Sequence, residues 1–498
     1  MWMEETVYLS MEQQTGNFWI DNGLVYLLLK WGEGEYPVKD ILNELMDKLV
    51  QPTGNKGEYY DVQKQQLREY DKRNWVAPVN LFIKVSGDPG GKVEVNGKRY
   101  PIRPPEFQLD IKLSKKQSVC DVCGQEAQGT DAKMWMYPFV VDPGNFGNFY
   151  SGAKRGLKLC ARCALAGLAA YLSWWWRRQG SDAVHFFLFH TDLRELQRLH
   201  QEVLRPLQLT GEPGGNVRPE FSGKYLHETT LGVLLFLFSH IPSSDVLSER
   251  ARQFLASLFG VNDVADAPPV VLYAVRGVPA QAFDMKELKE FSHLQRLYRL
   301  YEGWKRGMEE RYALSHPHQQ VVRVLEQFYA RRQREQETLW RDRIARAVLH
   351  QDDPLPVLEE FLFDVLVKQE PPRPLRRGTD WMLVDYYLKE VFQMEEQFIR
   401  TLSRFGHTLG AAAHEKGEMG LLYALRNAKN VEEFYRVLND VQFRLSLTVP
   451  ESLLQLEKGD RIAGAAWRRV KHMLAIYAMN NYLRKETPRE QDENREEA

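Results

Sequence analysis

Four cysteines in 498 residues are too few, and too tightly grouped, for a disulfide-built scaffold. All four fall in two CxxC pairs, Cys120/Cys123 and Cys160/Cys163, which in a reducing compartment means metal ligation or redox chemistry. An excess of one charge is also lacking. The 66 basic and 67 acidic residues leave a formal net charge of −1, which excludes a chain that coats nucleic acid with its whole surface and permits only local basic patches. The apolar run Leu231–Phe238, broken only by Gly232, falls far short of the roughly 20 residues that cross a bilayer. It reads as a buried helix or strand. Met1–Ser10 carries Glu4 and Glu5 and does not read as a secretory signal, so the expected location is cytoplasmic. No Ser/His/Asp, Cys/His, HExxH or paired-carboxylate constellation stands out, and no repeat with a period of about 20 to 50 residues is visible. The catalytic reading has little support.

What is present is enough apolar sequence, 44%, for a sizeable core divided among several domains. The expected class is α+β. Residues 1–118 read as a mixed α/β domain: Leu24–Trp31 is mostly apolar, Val38–Val50 has helical periodicity, and Val79–Val85 alternates like a strand. Asn96-Gly97 between Val93–Val95 and Lys98–Tyr100 signals a hairpin with a type I′ turn. Residues 119–165 form a zinc-binding insertion, and 166–368 a mainly helical middle region whose Glu287–Leu349 stretch is long, charged and amphipathic. Residues 369–380, with three prolines and Gly378, read as a linker before a C-terminal helical bundle at 381–484. Within the bundle, Asn430 with Glu433 and Thr448 with Glu451 fit capping boxes. Residues 485–498 read as a disordered tail.

The cysteine pairs carry the sharpest chemistry. Gly124 follows Cys123 and permits a tight turn that aims amides at the thiolates, while Cys160 and Cys163 open an apparent helix whose N-terminus favours thiolate. Four thiolates in such pairs match a tetrahedral, structural Zn²⁺ with no ligand position left for water. Two redox pairs, or a remnant site without metal, are the alternatives.

The gap between Cys123 and Cys160 is longer than in short zinc ribbons and holds a Gly/Asn-rich loop, Asp142–Lys158. Asn145 and Asn148 suit base edges, Lys154, Arg155 and Lys158 suit phosphates, and Phe146, Phe149 and Tyr150 suit stacking. The bland alternative is an ordinary glycine-rich loop with its aromatics tucked into the core.

Other features weigh less. Gly87–Lys92 has the wrong glycine spacing for a phosphate loop, and Val93 stands where Ser or Thr is required. His185 and His190 lie in an apolar stretch and read as core or surface histidines. Trp174–Trp176 at helical spacing read as packing. Arg331, Arg332, Arg334, Arg341 and Arg343, interleaved with acids, read as the salt-bridged exposed face of one long helix.

Three stretches together resemble the CXXC–CXXC large subunits of type I-B CRISPR Cascade complexes. They are Thr15–Leu24 with its Asn17, Asp21 and Gly23 spacing, the cysteine pairs with the Gly144–Phe149 loop, and Gly420–Leu445. The resemblance implies a non-catalytic subunit of an RNA-guided complex that recognises the protospacer-adjacent motif in duplex DNA, helps open it, and supports recruitment of a helicase-nuclease. The implied partners are Cascade backbone subunits, guide RNA and double-stranded target DNA. It also implies a small-subunit-like C-terminal bundle, for which Met382, or failing that Met394, is placed as an internal start. The loop residues are assigned from their chemistry and not from the resemblance. A zinc-stabilised helical scaffold that binds only proteins is the main competing reading, and a metal-dependent nuclease a weaker one.

Overall fold

The computed structural model describes residues 5–75, 84–85, 91–104, 107–108, 111–133, 136–139, 156–210, 214–260, 270–279, 283–332, 335–369, 374–376 and 378–486. About 50% of the chain is helix and 21% strand, an α+β protein. It divides into two compact units. The first comprises 1–218 and 239–294, the second 219–238 and 295–498.

The first unit is built around an opening helix, Phe18–Trp31. Asn17 starts it by accepting from the Trp19 and Ile20 amides at 3.1 and 3.2 Å, and Gly32, at φ +80°, ends it. The helix is buried along Trp19–Val25 and again at Leu27 and Leu28, so it is a core element and not an amphipathic one. The following helix, Val38–Leu49, is the amphipathic kind, burying Val38, Ile41, Leu42, Leu45 and Leu49 as its periodicity predicts. The Asn-Gly hairpin forms as expected, with Asn96 and Gly97 at φ +53° and +75°. The expected strand at Val79–Val85 lies outside the described residues except for Lys84–Val85.

The middle region contains a four-stranded antiparallel sheet that sequence periodicity did not predict. Its order is Trp175–Gln179, Asp182–Phe189, Val271–Pro279 and Phe283–Phe291. The strand Asp182–Phe189 is buried at every position. A strand covered on both faces loses its alternation, which is why it read as one apolar stretch. Trp174 packs edge-on against Trp19 and Tyr171 in this core.

The second unit is mainly helical. Its Leu226–Ser239 helix is buried nearly throughout, the polar first turn His227–Thr230 included. The stretch expected as one long helix is broken instead: Leu294–Tyr312 stops at Ala313 (φ +50°), and Pro317 starts a second helix, Pro317–Glu326. A hairpin of Ala330–Arg332 with Glu335–Glu337 then precedes Leu339–His350. After the short helix Leu355–Phe361, the C-terminal region is built mainly on Thr379–Phe392, Glu396–Glu415, Met419–Asn427, Val431–Leu445 and Trp467–Glu486. Gly410 lets Glu396–Glu415 approach the last helix so closely that a Cβ there would stand 2.0 Å from the Ala478 carbonyl oxygen.

Of the stretch 369–380, expected as a linker, residues 370–373 and 377 lie outside the described residues, and the described part is held by the second unit. Leu375 is buried, and its backbone both donates to and accepts from the Asn480 side chain, at 2.6 and 3.0 Å. The capping box at Asn430 forms, with Asn430 Oδ1 accepting from Glu433 N at 2.8 Å. The one at Thr448 does not. Pro450 is the cap of the short helix Glu451–Leu454, and no side chain closes it. Of the expected tail, residues 487–498 lie outside the described residues.

Candidate metal centre

The two cysteine pairs arrive on different elements and meet. Gln117–Val119 and Glu126–Asp131 pair as an antiparallel hairpin whose turn carries Cys120 and Cys123. Gly124, at φ +71°, donates to the Cys120 carbonyl at 2.9 Å, and Cys120 N donates to Gln125 O at 2.9 Å. A third strand, Lys158–Cys160, pairs with Glu126–Asp131 and delivers Cys160 to the N-cap of the ligand helix Ala161–Ala169. The Cys160 sulfur accepts from Cys163 N at 3.5 Å. Asp121 fastens the turn to that strand twice: its N donates to Lys158 O at 2.8 Å, and its Oδ2 accepts from Lys158 N at 2.7 Å.

All four sulfurs lie within 4.8 Å of one another, and Cys123 and Cys160 are 3.7 Å apart. A tetrahedral ion with M–S bonds of about 2.3 Å sets sulfur–sulfur edges near 3.8 Å, so the cluster fits a metal ion. Cys120, Cys160 and Cys163 are buried, Cys123 half-buried. Proton competition points the same way. Hydrogen bonds from the Cys160 and Cys163 thiols hold Cys120 far below the usual thiol range, while Cys163, donating to Cys120, is pushed far above it. Cys123 is also drawn down, to about 6, by its hydrogen bond with Cys163, while Cys160 is pushed up to about 12 by its bond to Cys120, so the cluster opposes ionisation of all four sulfurs together. A cation among the sulfurs removes that opposition.

The same ladder closes the inserted loop. Beyond the Asp131–Lys158 pair, Ala132 N donates to Leu157 O at 2.8 Å, so the ends of residues 133–156 meet just past the strands that hold the cysteines. Asn145, Asn148, Lys154 and Arg155 lie outside the described residues, as do Phe146, Phe149 and Tyr150. Lys158 is described. It stands on the third strand with its ammonium paired to Asp131.

Asn17, Asp21 and Gly23 stand in the sequence only as a spaced pattern. In the fold Asn17 caps the opening helix, Asp21 holds the turn that precedes it, and Gly23 lies against the ligand helix. Gly23 packs against it so closely that a Cβ would lie 1.7 Å from Ala166 O, and Gly167 would likewise clash with Met136 O at 2.1 Å. Trp19 Nε1 donates to Gly167 O at 2.9 Å, and Asn17 Nδ2 donates to Tyr137 Oη at 2.8 Å, pinning the described start of the loop. Asp21 is buried, which raises its pKa. Bonds from Thr15 and Gly16 and the charge of Arg162, the buried arginine between Cys160 and Cys163, oppose the rise.

The remaining candidates resolve locally. His185 stacks on Trp174 with centroids 3.9 Å apart, and burial holds its pKa down near 3. His190 Nδ1 accepts from Asp192 N at 3.0 Å. Trp175 and Trp176 are buried on a strand and not on a helix. The arginines do not share a helical face. Arg331 and Arg332 are on the strand Ala330–Arg332, Arg334 is outside the described residues, Arg343 pairs with Glu360 at 2.6 Å, and Arg341 is buried. Its Nε meets the fully buried Glu228 at 2.7 Å, and the same carboxylate accepts from Thr338 Oγ1. Among the described residues no helix is long and apolar enough to cross a membrane. No protein-family model matches the chain, and no curated protein matches it.

Proposed function

We infer that the chain is a non-catalytic, DNA-binding large subunit of an RNA-guided type I CRISPR surveillance complex, in which a structural zinc ion clamps the base of a DNA-facing loop. The observation that carries the reading is the convergence of four cysteine sulfurs beside the point where Ala132 and Leu157 join the loop's ends. An all-thiolate set suits Zn²⁺, and four protein ligands leave no position for an activated water. The clamped segment bears Asn145 and Asn148 for base edges and Lys154 and Arg155 for phosphates. Of the Asn17, Asp21 and Gly23 pattern, part of the resemblance, Gly23 packs against the same ligand helix, to which the neighbouring Trp19 also donates. In this reading the loop meets the protospacer-adjacent motif of duplex DNA. Backbone subunits, guide RNA and a helicase-nuclease are the other partners.

A separate C-terminal product from Met382 belongs to the same reading. Met382 is buried inside the helix Thr379–Phe392. Such a product would lack Leu375, the partner of Asn480, and the acids that pair with Arg426, Arg469 and His472, namely Asp364, Asp353 and Glu359. It therefore needs another surface to replace them. A short band on expression that vanishes with Met382→Leu would support this start.

The test of the main reading is duplex DNA binding across a salt series in the assembled complex. Lys154→Ala and Arg155→Ala should each weaken binding and flatten the salt slope by about one ion. Asn145→Ala or Asn148→Ala should change preference among flanking motifs. No salt-dependent DNA binding, and no effect of these changes, would favour the protein-only scaffold.

A further inference from the structure

The second unit holds a cleft of about 470 Å³ that the metal centre does not explain. Arg323, in the last turn of Pro317–Glu326, lines one side, with Gln327 and Tyr329 from the turn that follows. Gln336, on the second strand of the adjoining hairpin, and Arg376 line the others. The floor is Asp380, only 3% exposed. Its Oδ2 accepts from Gln327 Nε2 and from Arg376 N, each at 2.9 Å, which fixes two of the lining residues.

The charges sort by depth. Asp380 is held toward its neutral form by burial, and Glu326 is the exposed acid against Arg323 and Arg376. The hairpin strand that begins one residue after Tyr329 carries Arg331 and Arg332 in sequence. Arginines match phosphate oxygens in a planar fork, a tyrosine ring offers a base its face, and glutamine amides suit base edges. The volume lies within the range of small-ligand sites, about 300–1,000 Å³.

We propose that this cleft binds one nucleoside phosphate unit, with Arg323 and Arg376 on the phosphate and Tyr329 against the base. The unit can belong to a single strand or be a free nucleotide. The inference rests on the nucleic-acid reading above for its context, but on none of the loop residues.

The test uses the full chain with its metal and three probes: a labelled deoxythymidine 15-mer, thymidine monophosphate and inorganic phosphate. In the double variant Arg323→Glu, Arg376→Glu, the 15-mer should bind at least tenfold more weakly, with a salt slope flatter by about two ions. Tyr329→Ala should weaken it about tenfold and leave the slope unchanged. An unchanged thermal unfolding curve in each variant shows that the fold is intact. Saturable thymidine monophosphate binding with the same sensitivity and no gain in the 15-mer makes the occupant a free nucleotide, whereas a large gain in the 15-mer makes it a strand. The proposal is overturned if neither nucleotide probe binds the wild-type chain, if the variants bind like wild type, or if inorganic phosphate competes as well as the 15-mer. Duplex binding that depends on Lys154 and Arg155 should survive the double variant, so the two readings can fail separately.

Discussion

The two units each bury ionisable groups, and they neutralise them by different means. In the first unit four sulfurs crowd together in an arrangement that raises Cys160 and Cys163 against ionisation, and a metal ion is what would let all four ionise. In the second, Glu228 is fully buried but meets Arg341 and Thr338, and Arg341 also donates to the carbonyls of Ser222 and Glu326. That network is closed by protein groups alone. If the proposed ion is bound, order around the ligand helix depends on metal supply, and order around the Leu226–Ser239 helix does not.

Metal removal should separate the units most strongly. A structural Zn²⁺ site contributes on the order of 10 kcal/mol. Chelation, or Cys163→Ser, should therefore speed amide hydrogen exchange across Gln117–Asp131 and Lys158–Ala169, and leave Leu226–Ser239 and the C-terminal helices protected. The second unit is broken from its own side by Arg341→Met. Stranding Glu228 should cost about 3–5 kcal/mol, read as an earlier urea transition of the helical signal. Adding Glu228→Gln should recover part of that loss, because no charge is then left uncompensated.

Acid should also act on the first unit preferentially. Burial holds His185 and His200 near pKa 3, below the ordinary 6.5. Their contribution is full above about pH 6.5 and is lost as pH falls toward 3, because the unfolded chain takes up protons that the fold refuses. Each imidazole adds up to about 1.4 kcal/mol per pH unit in that window. His200→Gln should reduce the slope of first-unit stability against pH by about one proton. The smallest expected effect is that of Gly23→Ala, about 1–3 kcal/mol. Its methyl would be driven into the Ala166 carbonyl, so the variant should also release zinc to a chelator faster than wild type.

Local signals were legible in the sequence, and long-range ones were not. The Val38–Leu49 helix, the Asn96-Gly97 turn and the Asn430 cap depend on residues a few positions apart, and each formed as read. The cysteine pairs were legible because only metal or redox chemistry explains their spacing. The four-stranded sheet was hidden, since its strand Asp182–Phe189 is buried at every position and one of its two partners lies more than 80 positions away, as in Ala183 opposite Gly277. The proline-rich stretch before the bundle looked like a linker because nothing local announces that Asn480 will hold Leu375. Gly23 carried no sign of its role either. A glycine in an apolar helix shows its purpose only when the ligand helix lies against it.

The central claim is that one zinc ion, held by Cys120, Cys123, Cys160 and Cys163, closes the base of the loop. It is tested most directly by measuring metal content and thiol reactivity on the same purified chain. The expected result is about one zinc per chain, with all four thiols protected from alkylation until a chelator is added. A metal-free chain whose four cysteines alkylate at once, or are recovered as disulfides, would contradict it.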